Sequence, residues 1–456
     1  MPQAYQTRYV FQGGVNNAVP DELIGEQELS DAANYQPDLA TGKGVIKREG
    51  LTTTSSLISA TGSSVYQGRN ANYFTAGTVT YSFAGSSLDP DMTAGYPDWT
   101  TFATYDLMVN GTNLRQSSNG TSFAAISGCP AGSKYIAAVN NFLYVAGHDK
   151  GKLRWTDAGT LTFTVTNELI LTQDENDDIT ALKPWRNGLL VLCSKSFEII
   201  SGYSTLEQGV AYYSKEAGCT SHRSVVVTPN GVFWWSQPGI VWLKPDYTID
   251  YPMLRKLSTT LAALNRGQDA YVHATFDPLQ HRVMFYVYNG ASQTTCNLRI
   301  DYYYESDSFW LHTGAGAQMA ASGMAIVTGV ANNYAIGYTS TYLYKVSGNT
   351  DNGTAVSSYL ETRRESSGGP TAYKTARKST LTTNLSSVAT IDYGVYVDNG
   401  STVDSTWSLE RPSGLADEII GTNRQHRKIK HRISDSAITR TRIVGLTTDG
   451  VVHRSV

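Results

Sequence analysis

The chain has 456 residues, 41% hydrophobic and 16% charged, with a formal net charge of −3. That apolar content can bury a large core in two or more domains, while the negative balance excludes nucleic-acid affinity through bulk positive charge. Its 41 Gly and 29 Tyr, with few charges, give the turn-rich profile of an all-β protein.

Residues 1–52 form the first segment. MPQAYQTRYVFQGG has no apolar run, and no stretch of 18 apolar residues occurs anywhere, so neither a signal peptide nor a membrane span is expected. The segment is punctuated by Gly and Pro and carries no copy of the repeat described below. A short helix is expected around Glu26 to Asn34. Val10, Phe11, Val15, Val19, Leu23, Ile24, Leu29, Val45 and Ile46 are too many apolar residues for a free tail. The segment therefore reads as an extended arm lying on a surface, its own or a partner's. Phe11, Gly13, Gly14, Leu23 and Ile24 are its candidate assembly residues, and it is expected to dock the protein into its assembly rather than to build the central domain.

Residues 53–354 carry a recurring unit, a turn followed by an apolar run. It is clearest at Asn187-Gly188 (NGLLVLC) and Asn230-Gly231 (NGVFWWS), and it recurs at Asn141, His281-Arg282 and Asn332-Asn333. Weaker copies stand at Asn72 and Asp106. Asn-Gly supplies the positive φ angles of a two-residue hairpin turn. Leu189 to Leu192 and Val232 to Trp235 are too continuously apolar for a strand with one wet face, and suit strands buried on both sides. The 34–51 residue spacing brackets a four-stranded propeller blade. An irregular β-propeller of about six blades is predicted. The tryptophans in or beside the repeats read as blade packing rather than as a sugar-stacking platform.

Near Thr350 the character changes. NTDNGTAVSS reads as a linker, and SSGGP (366–370) as a second loop. Residues 355–456 are expected to form a C-terminal β-sandwich, since Ile391, Tyr393, Val395 and Val397 alternate with Asp392, Gly394, Tyr396 and Asp398. This domain holds 14 Lys and Arg against 10 Asp and Glu, a net +4 that leaves −7 for the remainder. Its basic stretch RQHRKIKHRI places Lys428, Lys430 and Arg432 on one strand face and Ile429 and Ile433 on the other. With Arg440 and Arg442 these form a candidate interface with an acidic partner protein or, alternatively, with the phosphate backbone of DNA. The protein is favoured because a bore that lets DNA slide avoids a cationic grip; the plainer reading is a solvated, edge-protecting face.

Motifs for catalysis are thin. Cys129, Cys193, Cys219 and Cys296 show no zinc or CxxC spacing and read as buried thiols. The eight histidines give no HExxH pair, and no GxSxG, Walker or GxGxxG motif is present. DENDD (174–178) lacks the Gly and terminal Glu of a calcium loop, so it reads as solvated. Asp157, Glu198, Asp246 and Asp301 could converge as glycosidase carboxylates, but strand-end aspartates more often satisfy turn amides. No cofactor and no catalytic or metal residue is assigned.

The Gly-Gly-Val-Asn opening, the acidic L-x-x-x-E-L-x-D-A-x-N segment and the closing G-V-I-K-R-E-G resemble the start of tail nozzle proteins of short-tailed bacteriophages. These are also described as tail hub or DNA-stabilisation proteins. The likeness continues in DDITALKPWRNGLLVLCSKSFEIISG, in GCTSHRSVVVTPNGVFWWSQPGIVWL and in DYYYESDSFW. The resemblance implies propeller strands followed by a C-terminal β-sandwich. It also implies a non-enzymatic virion protein, assembled in the bacterial host cytoplasm as a homo-oligomeric ring, usually of six copies, below the portal or connector. Other tail proteins (fibres, spikes or needle) would be neighbours, and genomic DNA would pass through the bore without sequence-specific binding. The alternatives are a carbohydrate-binding or glycan-hydrolysing propeller and a scaffold for cellular proteins.

Overall fold

Six of the seven turn-and-strand marks fall in, or at the start of, the second strand of a four-stranded antiparallel sheet, and the seventh falls in the second strand of a six-stranded one. The computed structural model describes residues 3–55, 60–89, 95–171, 177–204, 206–338, 342–366 and 372–453. Six sheets each take four consecutive strands, within residues 62–89, 98–126, 135–170, 179–214, 226–250 and 273–312. The seventh takes Met319–Val327, Val330–Gly337 and Leu343–Val346, and its fourth strand is Leu51–Ser55 from the start of the chain. The chain is thus all-β, built largely of the four-stranded sheets that characterise β-propellers.

The continuous apolar runs have the cause inferred for them. In Gly188–Cys193, Leu189, Val191 and Cys193 pack against the third sheet with Phe142 and Tyr144. Leu190 and Leu192 pack the other way, against Val232, Trp234 and Val241 of the fifth. The first and second sheets meet through Tyr73, Trp99 and Met108. The seventh returns to the first through Tyr334, Ile336 and Phe74. Trp99, Trp155, Trp185, Trp234, Trp235 and Trp310 are all buried.

The turns depart in detail from the Asn-Gly reading. Asn140 and Asn141, at φ 48° and 66°, form the two-residue turn between Val139 and Phe142. Between Trp185 and Gly188, however, the left-handed residue is Arg186, at φ 54°. Asn332 and Asn333 lie within a strand, and the turn before them is Thr328-Gly329.

Two further sheets hold the C-terminal residues, and the N-terminal segment is woven into both. In the eighth, Gln3–Tyr9, Tyr35–Pro37 and Val45–Lys47 join Thr441–Val452, Lys374–Leu385 and Gly414–His426. In the ninth, Leu29–Ala33 joins Ser358–Thr362, Ile429–Asp435, Ala389–Val397 and Ser405–Arg411. Contacts run from sheet to sheet: Tyr393 is hydrogen-bonded to Ser379 at 2.9 Å, and His431 Nε2 to Thr448 at 3.2 Å.

Two expectations are corrected here. Residues 26–34 are not a helix: Leu29–Ala33 is a strand, because pairing with Ser358–Thr362 satisfies its backbone while Leu29, Ala32 and Ala33 are buried. The stretch expected as a linker contains a small hairpin, Thr350–Asp351 with Thr354–Ala355, attached to Leu51. Parts of three loops, DENDD, SLDPDMTAGYPDW (87–99) and SSGGP, lie outside the described residues.

Candidate functional site: the seat of the N-terminal segment

Backbone pairing seats residues 3–50 between the seven sheets and the last two. Val15 N–H donates to Phe309 O at 2.7 Å, Asn17 N–H to Lys256 O at 2.8 Å, and Asn34 N–H to Leu311 O at 2.9 Å. Of the five candidate assembly residues, Phe11, Gly14 and Ile24 are buried, Gly13 is half-buried, and Leu23 is 73% exposed. Gly14 holds φ 73° with its backbone against Phe309, where a Cβ would come within 2.5 Å of the carbonyl oxygen. The surface on which the arm lies is the chain's own.

The basic strand lies beside that segment. Lys428 Nζ is 2.8 Å from Glu22, and Lys430 Nζ is 3.0 Å from Asp21 and 2.7 Å from Glu361. Arg432 pairs with Glu361 at 2.7 Å and lies over the Tyr359 ring at 4.2 Å. Arg442 meets Asp38 at 2.7 Å, and Arg440 meets Glu49 at 3.6 Å while donating to Lys47 O. The acidic neighbour sought for these five cations is supplied from within the chain, so a partner protein would have to displace or share existing ion pairs.

Behind these pairs is a buried ionic network with no sequence motif. Arg282 reaches Asp301 at 2.9 Å and both Asp277 and Glu49 at 3.0 Å. Arg299 pairs with Asp301 at 2.9 Å. Burial opposes the charge on Asp301, but the Arg299 guanidinium outweighs it, helped by Arg282, and holds the carboxyl far below the usual range. His312, 3.1 Å away, is driven neutral by burial, its pKa down to about 4. Arg48 clamps Asp351 with two bonds of 2.9 and 2.6 Å, and Lys47 meets Asp435 at 2.8 Å with neither side chain exposed. One signal was available in the sequence. An arginine heading the apolar run RVMFYV has to bring partners, because a buried unpaired guanidinium is prohibitive.

First strands of the sheets line a separate cavity of about 250 Å³. Its wall includes Ser63 and Ser64, Asp98 and Trp99, Lys183, His222 and Arg223, His273 to Phe276, and Ala321 to Met324. Lys183 Nζ pairs with Asp98 at 3.0 Å, and Arg223 donates to Ala320 O while stacking on Tyr96 at 4.1 Å. Burial brings the His222 pKa down to about 4. Asp157, Glu198, Asp246 and Asp301 do not converge here. Asp157 accepts from Thr164 and Asn167, Asp246 from Thr248, and Asp301 belongs to the arginine network. Among the described residues no group of three or more His, Cys, Asp or Glu is placed to hold a metal ion, and no helix is long and apolar enough to cross a membrane.

No known family and no curated protein matches the chain by sequence. Solved structures do resemble it in shape. The WD40 domain of Neurospora crassa Pan2 aligns at 7% identity, covering 67% of this chain and 98% of that one, with a TM-score of 0.44. The β-propeller domain of Myceliophteria thermophila Cps50 (Swd1) aligns at 11% identity over 66% of this chain and 99% of that one, with a TM-score of 0.46. Likeness at this level says nothing of what the chain binds or does.

Proposed function

We propose that this chain is a structural component of a bacteriophage tail, of the nozzle kind its sequence resembles. Its seven sheets are read as the blades of a propeller, one more than the six or so expected. The eighth and ninth sheets are read as a sandwich that the N-terminal segment clamps to the propeller. Copies would assemble as a ring below the connector, retaining the genome and then guiding its exit.

The observation that carries this reading is how the charged groups are used. The arginines and lysines of the C-terminal sheets and of the Arg282 network pair with acids of the N-terminal segment and hold it against both parts of the chain. The cavity among the first strands is below the usual size of a ligand pocket and far too small for a duplex. On this reading a passage for DNA would run between copies rather than through one chain. Glycoside hydrolysis takes two carboxylates. Among the described lining residues the cavity offers one, Asp98, already paired with Lys183.

The test is electron microscopy of the purified protein, alone and with a candidate phage connector, alongside incubation with a panel of glycans. Rings with an open axis, and no turnover, are expected. Glycan turnover that is lost on mutating Asp98 would overturn the structural reading in favour of the hydrolytic one.

A further inference from the structure

We propose that neighbouring copies join edge to edge, the strand Gly414–His426 of one chain pairing with the strand Gln3–Tyr9 of the next. This rests on the ring reading above and names its contact. Both strands belong to the eighth sheet, at opposite margins. Gly414–His426 pairs on one side with Lys374–Leu385, and Gln3–Tyr9 pairs on one side with Thr441–Val452. Among the described residues, no strand pairs with the other side of either. A bare margin presents backbone N–H and C=O groups at strand spacing, and the occupant that satisfies a whole run of them is another strand.

Direction favours this pair. Successive neighbours across the sheet are antiparallel, from Gln3–Tyr9 through Thr441–Val452 and Lys374–Leu385 to Gly414–His426. The next copy's Gln3–Tyr9, placed beside Gly414–His426, continues that alternation. The two margins differ, so the contact is head to tail and closes into a ring when the rotation between copies allows it.

The exposed strand also lacks some of the usual safeguards over its first eight residues. From Gly414 to Gly421 its pairing is regular, and it carries neither lysine nor proline. Leu415 and Ile419 on its outer face are 71% and 64% exposed. Asp417 stands between them. A strand pairing with its own copy about this stretch would bring acid toward acid. On the facing margin, Arg8 is exposed and makes no ion pair among the described residues. The row through Arg8, Thr447, Thr380 and Ile419 fixes the register. An unstaggered continuation sets the next copy's Arg8 beside Ile419 and diagonal to Asp417, within reach of a long side chain.

The test uses the full chain. Arg8→Asp and Asp417→Arg should each weaken self-association several-fold by sedimentation, and the two changes combined in one chain should restore it. Circular dichroism should show all three folded as the wild type. Mixing Arg8→Cys with Ile419→Cys chains should give a dimer with a short bis-maleimide that neither gives alone. An assembling wild type whose charge variants assemble equally, and whose cysteine variants do not cross-link, overturns the contact and leaves the ring reading standing. A wild type that is monomeric at every concentration overturns the contact and counts against the ring as well.

Discussion

Lys430 and Asp21, separated by 409 residues, meet at 3.0 Å between Nζ and Oδ2. They are one of a series. Glu22 meets Lys428, Glu26 meets Arg363, Asp38 meets Arg442 and Glu49 meets Arg440, so acids of the first segment face bases of the last. The charge asymmetry that marks residues 355–456 as distinct is to this extent neutralised inside the chain.

Burial grades these pairs and gives the first prediction. The side chains of Lys430 and Glu361 are each 10% exposed, whereas those of Lys428 and Glu22 are 25% and 31% exposed. Lys430→Glu should therefore cost about 3 kcal/mol or more, since it leaves carboxylates facing one another out of water. Lys428→Glu should cost less, about 1 kcal/mol, because this half-buried pair is better screened by water. Urea unfolding of the two variants measures the difference, and equal costs would refute the grading.

Deleting residues 1–40 provides the second. It removes Gln3–Tyr9, Leu29–Ala33 and Tyr35–Pro37, and with them the buried Tyr9, Phe11, Val15, Leu29 and Tyr35. The strand that completes the seventh sheet begins only at Leu51 and is retained. Limited proteolysis should then cleave within residues 358–453 while the seven sheets survive. A truncated protein whose C-terminal sheets resist protease like the wild type would show that the segment rests on them without supporting them.

What the sequence reveals follows from what each strand buries. The second strand of each of the seven sheets contains a buried run, most of it apolar, so it stands out from its surroundings, and all seven are legible. The basic strand was legible as an alternation, because Ile429 and Ile433 face the core. Its partner was not, since nothing local in Asp21 or Glu22 encodes a contact so far along the chain. Leu29–Ala33 misled for a related reason: Leu, Ala and Asp favour no strand by themselves, and the pairing with Ser358–Thr362 decides. Arg282 reads locally as a turn residue, a single charge heading an apolar run, and the residues that pair with it include Glu49, far off in the chain.

Glycine substitutions separate backbone strain from collision. Gly42 has φ 63°, and a Cβ added there would meet nothing within 4 Å, so Gly42→Ala should cost about 1 kcal/mol from the left-handed conformation alone. Gly14, at φ 73°, would press its Cβ against Phe309 O at 2.5 Å and Phe309 N at 2.7 Å. Both are backbone atoms that cannot rotate away. Gly14→Ala should cost about 3 kcal/mol or more, the range of severe steric lesions. Thermal or urea unfolding of the two alanine variants checks the ordering. A Gly14→Ala protein as stable as Gly42→Ala would mean that the segment is not seated against Phe309.

The last prediction concerns acid. Burial opposes ionisation of Glu49, but Arg282 and Arg440 outweigh it and bring the carboxyl from about 4.5 down to about 2. The folded state thus keeps the carboxylate where the unfolded chain takes up a proton. The resulting stability is fully present above pH 4.5 and is lost as pH falls toward 2, and it amounts to about 3 kcal/mol at about 1.4 kcal/mol per unit. Buried histidines act on the same protein: burial holds His222 and His312 down to about 4 and His431 to about 3. For them too the unfolded chain binds the proton first, so stability falls with pH, but the decline begins at 6.5. The contribution of Glu49 is isolated by comparing wild type with Glu49→Gln, since the histidines are common to both. The wild-type advantage in urea unfolding should be constant from pH 7 to about 5 and should shrink steadily below 4.5. An advantage that stays unchanged down to about pH 3 would show that Glu49 is not held ionised by the two arginines.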